Sequence, residues 1–355
     1  MRVVLLTTNL AVGGAEWQVA QLAARLRLRG CDVAVVSLIK PTAYQEMLAE
    51  AGVEVYWRRG WGKLRPQVLH THLFHANIAG RLLRLAFPVP VVISTLHSAK
   101  ESSRRSSDAR WRDCIYRATD GLADAVVAVS SAVARRHEQA GAASASKLHV
   151  IPNGVDTQRF RRDAETRRRM REQLGLGDRF VWLAVGRLMW KKGYGTLLEA
   201  AALIKESVLL IAGEGPLREK LEAEAGPNVR FLGARRDVAA LMNAADGLVL
   251  SSVVEGLPVV LLEAAASGLA CVATDVGGVA EAVVDGRTGF VVPVKDATAL
   301  AAAMRRMMAL PAGEREAMGC AAAAHARENF DWEIVAARWE RLYARLLESE
   351  VGNGS

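Results

Sequence analysis

Ser251-Ser-Val-Val-Glu255-Gly-Leu-Pro258-Val-Val-Leu-Leu-Glu263-Ala264 reads as the end of a buried strand, a turn and the start of a helix. The residues leading into it, Gly247–Ser251, form a short apolar run of strand length. Gly256 allows a tight turn, and Pro258 suits the first position of a helix, where a missing amide hydrogen costs nothing. The amides of Val259, Val260 and Leu261 are then expected to point out of the helix start. Together with the positive end of the helix dipole they make a site for an anion such as a diphosphate. Glu255 stands just before that site and Glu263 lies further along the helix, a spacing that lets two carboxylates flank a ligand with hydroxyls on both sides of its phosphates. A surface Glu and an unrelated helical Glu satisfy the same spacing, and the stretch alone leaves both readings open.

Outward from this unit the same rhythm repeats in both directions. Short apolar runs are expected as strands at 3–7, 32–38, 67–70, 91–95, 125–129 and 148–151, and again at 180–185, 208–212, 229–232, 247–251, 270–274 and 289–293. Longer helix-patterned stretches separate them, as in parallel sheets built from βαβ units. At 355 residues the chain exceeds the size of one core, so two doubly wound sheets in succession account for it. The charge-rich stretch 161–178 reads as a linker helix, and residues 332–347 as a final packing helix with apolar residues at helical spacing.

Composition narrows the class. Hydrophobic residues at 51% and charged residues at 24% fit a folded α/β protein and exclude a disordered or fibrous chain. Cys31, Cys114, Cys271 and Cys320 have no paired spacing, which argues for free thiols rather than a disulfide framework or zinc site. No apolar run has the ~18 residues of a membrane span. The opening MRVVLLTTNL reads as a first strand rather than a leader, which places the protein in the cytoplasm. The net charge of +8 is concentrated: residues 1–160 hold 21 Lys+Arg against 12 Asp+Glu, the remainder 25 against 26. That excess, at Arg58, Arg59, Lys63, Arg65, Arg81, Arg84 and 100–117, suits a solvated basic face, a phosphorylated acceptor or peripheral contact with an anionic membrane surface. The interleaving of aromatic and basic residues that would favour nucleic acid is missing.

Ligands of doubly wound sheets sit at the carboxyl ends of the strands, so the turns there carry the remaining candidates. After the strand at 180–185 come Gly186, Arg187, Lys191 and Lys192, cations able to neutralise phosphate oxygens and a departing diphosphate, although an exposed basic loop has the same composition. Gly13-Gly14 after the first strand lets backbone approach a ligand. His97 ends the strand at 91–95 and is either a ligand contact or a hydrogen-bonded structural histidine. His70, His72 and His75 lack the carboxylate or cysteine partners of a metal site. Gly213-Glu-Gly215-Pro has no third glycine, so the dinucleotide fingerprint is missing and a Rossmann oxidoreductase is disfavoured.

Taken as an ordered set, these segments resemble the retaining family 4 glycosyltransferases. The matching stretches are GGAE (13–16), TLHS (95–98), VAVSSAVA (127–134), IPNGVD (151–156), VGRLMWKKG (185–193), AGEGP (212–216), FLG (231–233), EGLPVVLLEA (255–264), TDVGG (274–278), DGRTGF (285–290) and FDWEIVAARWERLY (330–343). The resemblance implies the GT-B fold: two Rossmann-like α/β domains facing across a cleft, 1–160 with the returning segment 332–355, and 161–331. It implies that Glu255 contacts the donor sugar and Glu263 the ribose, that Arg187 and Lys192 bind the diphosphate, and that Gly13 and Gly14 approach the phosphates. His97 is implied as a sugar contact near the reaction centre. Gly213 and the backbone of Gly233, Ala234 and Arg235 are implied to border the nucleotide, as are Gly256, Leu257, Pro258, Val259, Val260 and Leu261.

By the same resemblance the donor is a nucleotide-diphosphate sugar, expected to be a UDP-sugar. The sugar is a hexose or N-acetylhexosamine passed with retention to a glycan or lipid-linked acceptor in polysaccharide or lipopolysaccharide assembly, without a metal cofactor. One departure stands out. Positions 56–66 are shorter than the family pattern and lack one crossover helix on the acceptor side. A donor-binding protein with impaired or no transferase activity is therefore the alternative.

Overall fold

The computed structural model describes residues 1–57, 63–98 and 106–353. It divides into two compact units, Met1–Gly154 with the C-terminal helix Trp332–Asn353, and Val155–Asp331. The first break falls at Gly154 rather than at 160. The basic residues Arg58, Arg59, Lys100, Arg104 and Arg105, and positions 58–62 of the shortened 56–66 stretch, lie outside the described residues.

The first unit carries β1 (Arg2–Thr7), β2 (Asp32–Ser37), β3 (Glu54–Trp57), β4 (Val68–His72), β5 (Val91–Leu96), β6 (Ala125–Ala128) and β7 (Leu148–Val150). They form one sheet in the order β3-β2-β1-β4-β5-β6-β7, parallel throughout. The second unit carries β8 (Val181–Val185), β9 (Val208–Ala212), β10 (Val229–Gly233), β11 (Gly247–Leu250), β12 (Cys271–Thr274) and β13 (Gly289–Val292), parallel in the order β10-β9-β8-β11-β12-β13. Each expected strand is present. β3 was not expected, because its four residues include Glu54 and are only partly buried at the sheet edge.

Both sheets reverse strand order once, between β1 and β4 and between β8 and β11. Their central strands are apolar on both faces because helices cover both. Val3, Leu5, Val68, Val91, Ile93, Ala125 and Val127 are buried in one such layer, and Val4, Leu6, Leu69 and Val92 in the other. The C-terminal helix closes the first layer with Trp332, Val335, Trp339, Leu342 and Tyr343, each at most 4% exposed. Burying a large apolar side chain contributes about 1.5–3 kcal/mol, so these five residues dock the helix firmly. Gly154 makes room for the Trp332 ring, which a Cβ there would approach to 2.4 Å.

The helix Ala164–Gln173, expected as a linker, instead packs within the second unit. Asp163 caps its start through the Thr166 amide, at 2.6 Å. Arg167 reaches Asp246 Oδ1 at 2.6 Å and Arg171 reaches Oδ2 at 3.1 Å, and Oδ2 also accepts the Val181 amide. The arginine run therefore anchors the entries to β8 and β11.

Part of the basic excess of residues 1–160 is likewise structural. Arg81 is fully buried, donating to Ser94 Oγ and the Tyr116 carbonyl, and Arg84 is paired with Asp124. Among the described residues no helix is long and apolar enough to cross a membrane.

Candidate active site

The strand order of the second unit brings distant motifs together. Because β8 and β11 are neighbours, the loops leaving their carboxyl ends are adjacent, although Lys192 and Glu255 are 63 positions apart. Lys192 Nζ donates to Glu255 Oε1 at 2.6 Å, with the side chains 16% and 12% exposed. Ser252 Oγ donates to the same oxygen at 2.7 Å. Behind the pair, Ser251 Oγ donates to the Lys192 carbonyl at 2.9 Å and the Val253 amide to the Lys191 carbonyl at 2.8 Å.

This closeness requires a glycine at 193. Its φ is +65°, and a Cβ would lie 2.0 Å from the Ser251 carbonyl oxygen. A second brace is Tyr194, whose hydroxyl donates to the Gly186 carbonyl at 2.9 Å. Burial raises the pKa of that hydroxyl well above its ordinary value, with the Glu255 charge adding to the effect, so it remains a donor.

Segment 274–278 supports the Glu255 turn from the other side. The Gly278 amide donates to the Gly256 carbonyl at 2.6 Å, and a Cβ on Gly277 would meet the Glu255 carbonyl oxygen at 2.4 Å. Pro258 precedes the helix Val259–Ala266 in an extended conformation. Of the three amides expected to be free, those of Val259 and Val260 form no hydrogen bond among the described residues. The Leu261 amide does not join them: it donates to the Pro258 carbonyl at 3.1 Å, tightening the first turn. This helix start therefore has two open donors rather than the three expected.

Arg187, two residues past the end of β8, is exposed and forms no ion pair among the described residues. Gly213 follows β9 with φ +152°; its amide donates to the Gly233 carbonyl at 2.7 Å, and a Cβ would lie 2.0 Å from the Gly186 carbonyl oxygen. At the end of β10, Gly233 has φ +69°, Ala234 is exposed and the Arg235 side chain is held by Asp237 at 2.5 and 2.8 Å.

Glu263 keeps some accessible surface, yet desolvation pushes its carboxyl up to about 7, with Arg159 opposing the shift. A carboxyl that holds its proton longer folded than unfolded contributes stability at low pH, and that contribution is lost as pH rises from the ordinary carboxyl range toward 7. Glu263→Gln is therefore expected to match the wild type near pH 4 and to melt higher near pH 8. Parallel melting curves at both pH values check this; an equal difference at the two would refute the desolvation argument.

In the first unit, Gly13 is extended and precedes the helix Gly14–Leu28; its amide reaches the Tyr44 hydroxyl at 3.4 Å. His97 lies just past β5 and meets a residue that sequence reasoning set aside: His97 Nε2 is 3.1 Å from His72 Nδ1, the last residue of β4. Burial lowers the His97 pKa to about 4, so the ring is neutral. His72 and Ser252 are the two partners that the sequence reading missed. Ser252 sat inside the decisive stretch, three residues before Glu255, and was passed over. His72 had no local signal, because only the β4–β5 register brings it to His97. Among the described residues, no group of three or more His, Cys, Asp or Glu side chains is arranged to hold a metal ion.

Residues 12–159 match the Glycosyltransferase Family 4 profile and residues 179–309 the Glycosyl transferases group 1 profile. The chain is 37% identical to a GDP-mannose-dependent alpha-(1-6)-phosphatidylinositol monomannoside mannosyltransferase from Mycolicibacterium smegmatis, over 88% of this chain and 82% of that protein. It is 32% identical to a glycogen synthase from Mycobacterium tuberculosis, over 82% and 71%. Among solved structures, Anabaena HepE in complex with UDP superposes with a TM-score of 0.86 at 22% identity, covering 97% of this chain and all of that one. A sucrose-phosphate synthase from Thermosynechococcus elongatus gives 0.83 at 24%, over 98% and 100%. The two parallel-sheet units are those of the GT-B fold.

Proposed function

The chain belongs to the family 4 glycosyltransferases, and we propose that it passes a hexosyl or N-acetylhexosaminyl group from a UDP-sugar to a glycan or lipid-linked acceptor with retention of configuration. The observation that carries this reading is the Lys192–Glu255 pair, followed on the same turn by the open amides of Val259 and Val260. Cation and amides suit a diphosphate, and a carboxylate beside them suits sugar hydroxyls. An ammonium group has three hydrogens, so Lys192 can keep Glu255 and still donate to a phosphate oxygen.

In the proposed reaction the bond from the anomeric carbon to the diphosphate oxygen breaks, and negative charge builds on the leaving phosphate. Lys192, Arg187 and the two amides stabilise that charge more strongly in the transition state than in the bound donor, which is what accelerates the step. The acceptor hydroxyl then attacks from the face the diphosphate leaves and gives its proton to the departing phosphate oxygen. Glu263, in the second turn of the same helix, is proposed to accept hydroxyl hydrogens of the ribose. His97, Gly13 and Gly14 are proposed as the first unit's contributions.

The base of the nucleotide has a second reading. HepE was crystallised with UDP, while the mycolicibacterial mannosyltransferase is named for GDP-mannose. A panel of UDP- and GDP-sugars, followed by thermal shift and by mass spectrometry of products with and without a chelator, decides between them. The expected result is stabilisation by one nucleotide class and unchanged transfer in the chelator. Stabilisation without any transfer would favour the non-catalytic binder, and response to neither class would remove the reading.

A further inference from the structure

The hydrogen-bonded contact of His97 with His72 is one end of a longer buried array. His70 is fully enclosed and has both ring nitrogens satisfied: Nδ1 meets the Tyr343 hydroxyl at 2.7 Å and Nε2 the Thr95 hydroxyl at 2.6 Å. His72, two residues on and therefore on the same face of β4, lies against it with ring centroids 4.0 Å apart. On the other side of His70 the Trp339 ring stands at 4.4 Å. His72 is 2% exposed, so neighbours on either side hold its ring in place.

The two ring nitrogens of His72 differ sharply. Nδ1 faces His97 Nε2 at 3.1 Å, whereas Nε2 is buried and has no hydrogen-bond partner among the described residues. Desolvation lowers the pKa of both His72 and His97, so neither ring carries a second proton near neutral pH and each has one N–H to place. A buried N–H without an acceptor is among the rarest defects in folded proteins, so the His72 proton belongs on Nδ1, where it has one. Nδ1–H then donates to His97 Nε2, which must be the unprotonated nitrogen of its ring. The His97 proton is left on Nδ1, the nitrogen with no hydrogen-bond partner among the described residues, and not among the fully buried unpaired atoms.

We propose that His72 is a positioning residue that fixes His97 in its Nδ1–H tautomer, so that His97 meets its ligand as a hydrogen-bond donor. A ring in this state binds an oxygen lone pair, from a sugar hydroxyl, a ring oxygen or a phosphate, and cannot act as a base through that nitrogen. The consequence for transfer rests on the role proposed above for His97; the tautomer itself does not.

The two are therefore tested separately. Long-range nitrogen–proton correlation spectra of the ligand-free, histidine-labelled protein, assigned with a His97→Gln control, report which His97 nitrogen carries the proton. The expected spectrum is the Nδ1–H form. The Nε2–H form in the wild type overturns the proposal without any variant having to fold. In His72→Phe, which removes the donor, His97 is expected to move toward the Nε2–H form that free neutral imidazole prefers. In His72→Asn, whose amide can donate from nearly the same place, the Nδ1–H form is expected to return. An unchanged tautomer in a folded His72→Phe would assign His72 to packing alone. Turnover, measured on the same variants, is expected to fall about tenfold or more in kcat for His72→Phe and to recover partly in His72→Asn. Transfer unaffected in a protein whose tautomer has switched would leave the geometry standing and remove His97 from the reaction.

Discussion

Replacing Lys192 with alanine is expected to lower kcat by about 10²–10³-fold, the usual loss when one preorganised charge stabiliser is removed from a transition state. The variant should remain folded. The pair it breaks is 12–16% exposed, so leaving Glu255 without its cation costs less than the ~3–5 kcal/mol of a fully buried pair, and Ser252 Oγ still donates to the carboxylate. Glu255→Gln separates charge from hydrogen bonding. The amide oxygen can still accept from Ser252 and Lys192, so stability should change little. The sugar, however, loses its charged acceptor, and transfer should again fall by about two orders of magnitude. Turnover and melting temperature measured together on both variants decide the matter. Near-wild-type transfer in either would count heavily against this site, and loss of cooperative unfolding would show that the pair is structural.

Gly193→Ala is expected to be strongly destabilising. The left-handed backbone there costs a non-glycine residue about 1–2 kcal/mol, and a Cβ 2.0 Å from the Ser251 carbonyl oxygen forces the β8 and β11 loops apart. Together these effects give roughly 3–5 kcal/mol, or a fall in melting temperature of roughly 6–20 °C for a unit of this size. Because Lys192 and Ser251 flank the clash, transfer should fall with stability. Gly195→Ala, two residues on in the helix Tyr194–Ala202, is the matched control. A Cβ there meets nothing within 4 Å, and alanine is the better helix former by about 1 kcal/mol, so this variant should be as stable as the wild type or more so. Equal melting temperatures for the two variants would mean that the glycine at 193 is not what lets the loops meet.

These two expectations also mark what the sequence could and could not convey. Strand alternation, the turn at Gly256 and the helix after Pro258 are local properties, and the chain states them plainly. So is the presence of cations after β8 and carboxylates after β11. That Lys192 touches Glu255 is a property of strand order, which becomes visible only when β8 and β11 are seen to be neighbours. The same holds for His72 and His97, which face each other through the β4–β5 register. Arg81 shows the converse error: counted with a basic face, it is a buried scaffold residue whose partners, Ser94 and Tyr116, come from other elements. The Leu261 amide was miscounted for a subtler reason. A helix start can tighten its first turn and satisfy a donor internally, and no residue type announces that choice.

The shortened stretch before β4 bears on the weaker half of the account. The first unit forms its seven-stranded parallel sheet with only positions 58–67 between the end of β3 and the start of β4. The sheet places β1 beside β4. The frame that carries Gly13, Gly14 and His97 is formed despite the short connection.

The central claim, that the turns after β8 and β11 hold a nucleoside diphosphate, is tested most directly by calorimetric titration. UDP and GDP are titrated into the wild type and into a protein carrying both Arg187→Ala and Lys192→Ala. Each hydrogen bond to a charged group is worth about 1.5–3 kcal/mol. Saturable binding of at least one nucleotide by the wild type is therefore expected, weakened about 100-fold or more in the double variant. Equal affinity in the two proteins, or no binding by the wild type, would contradict it.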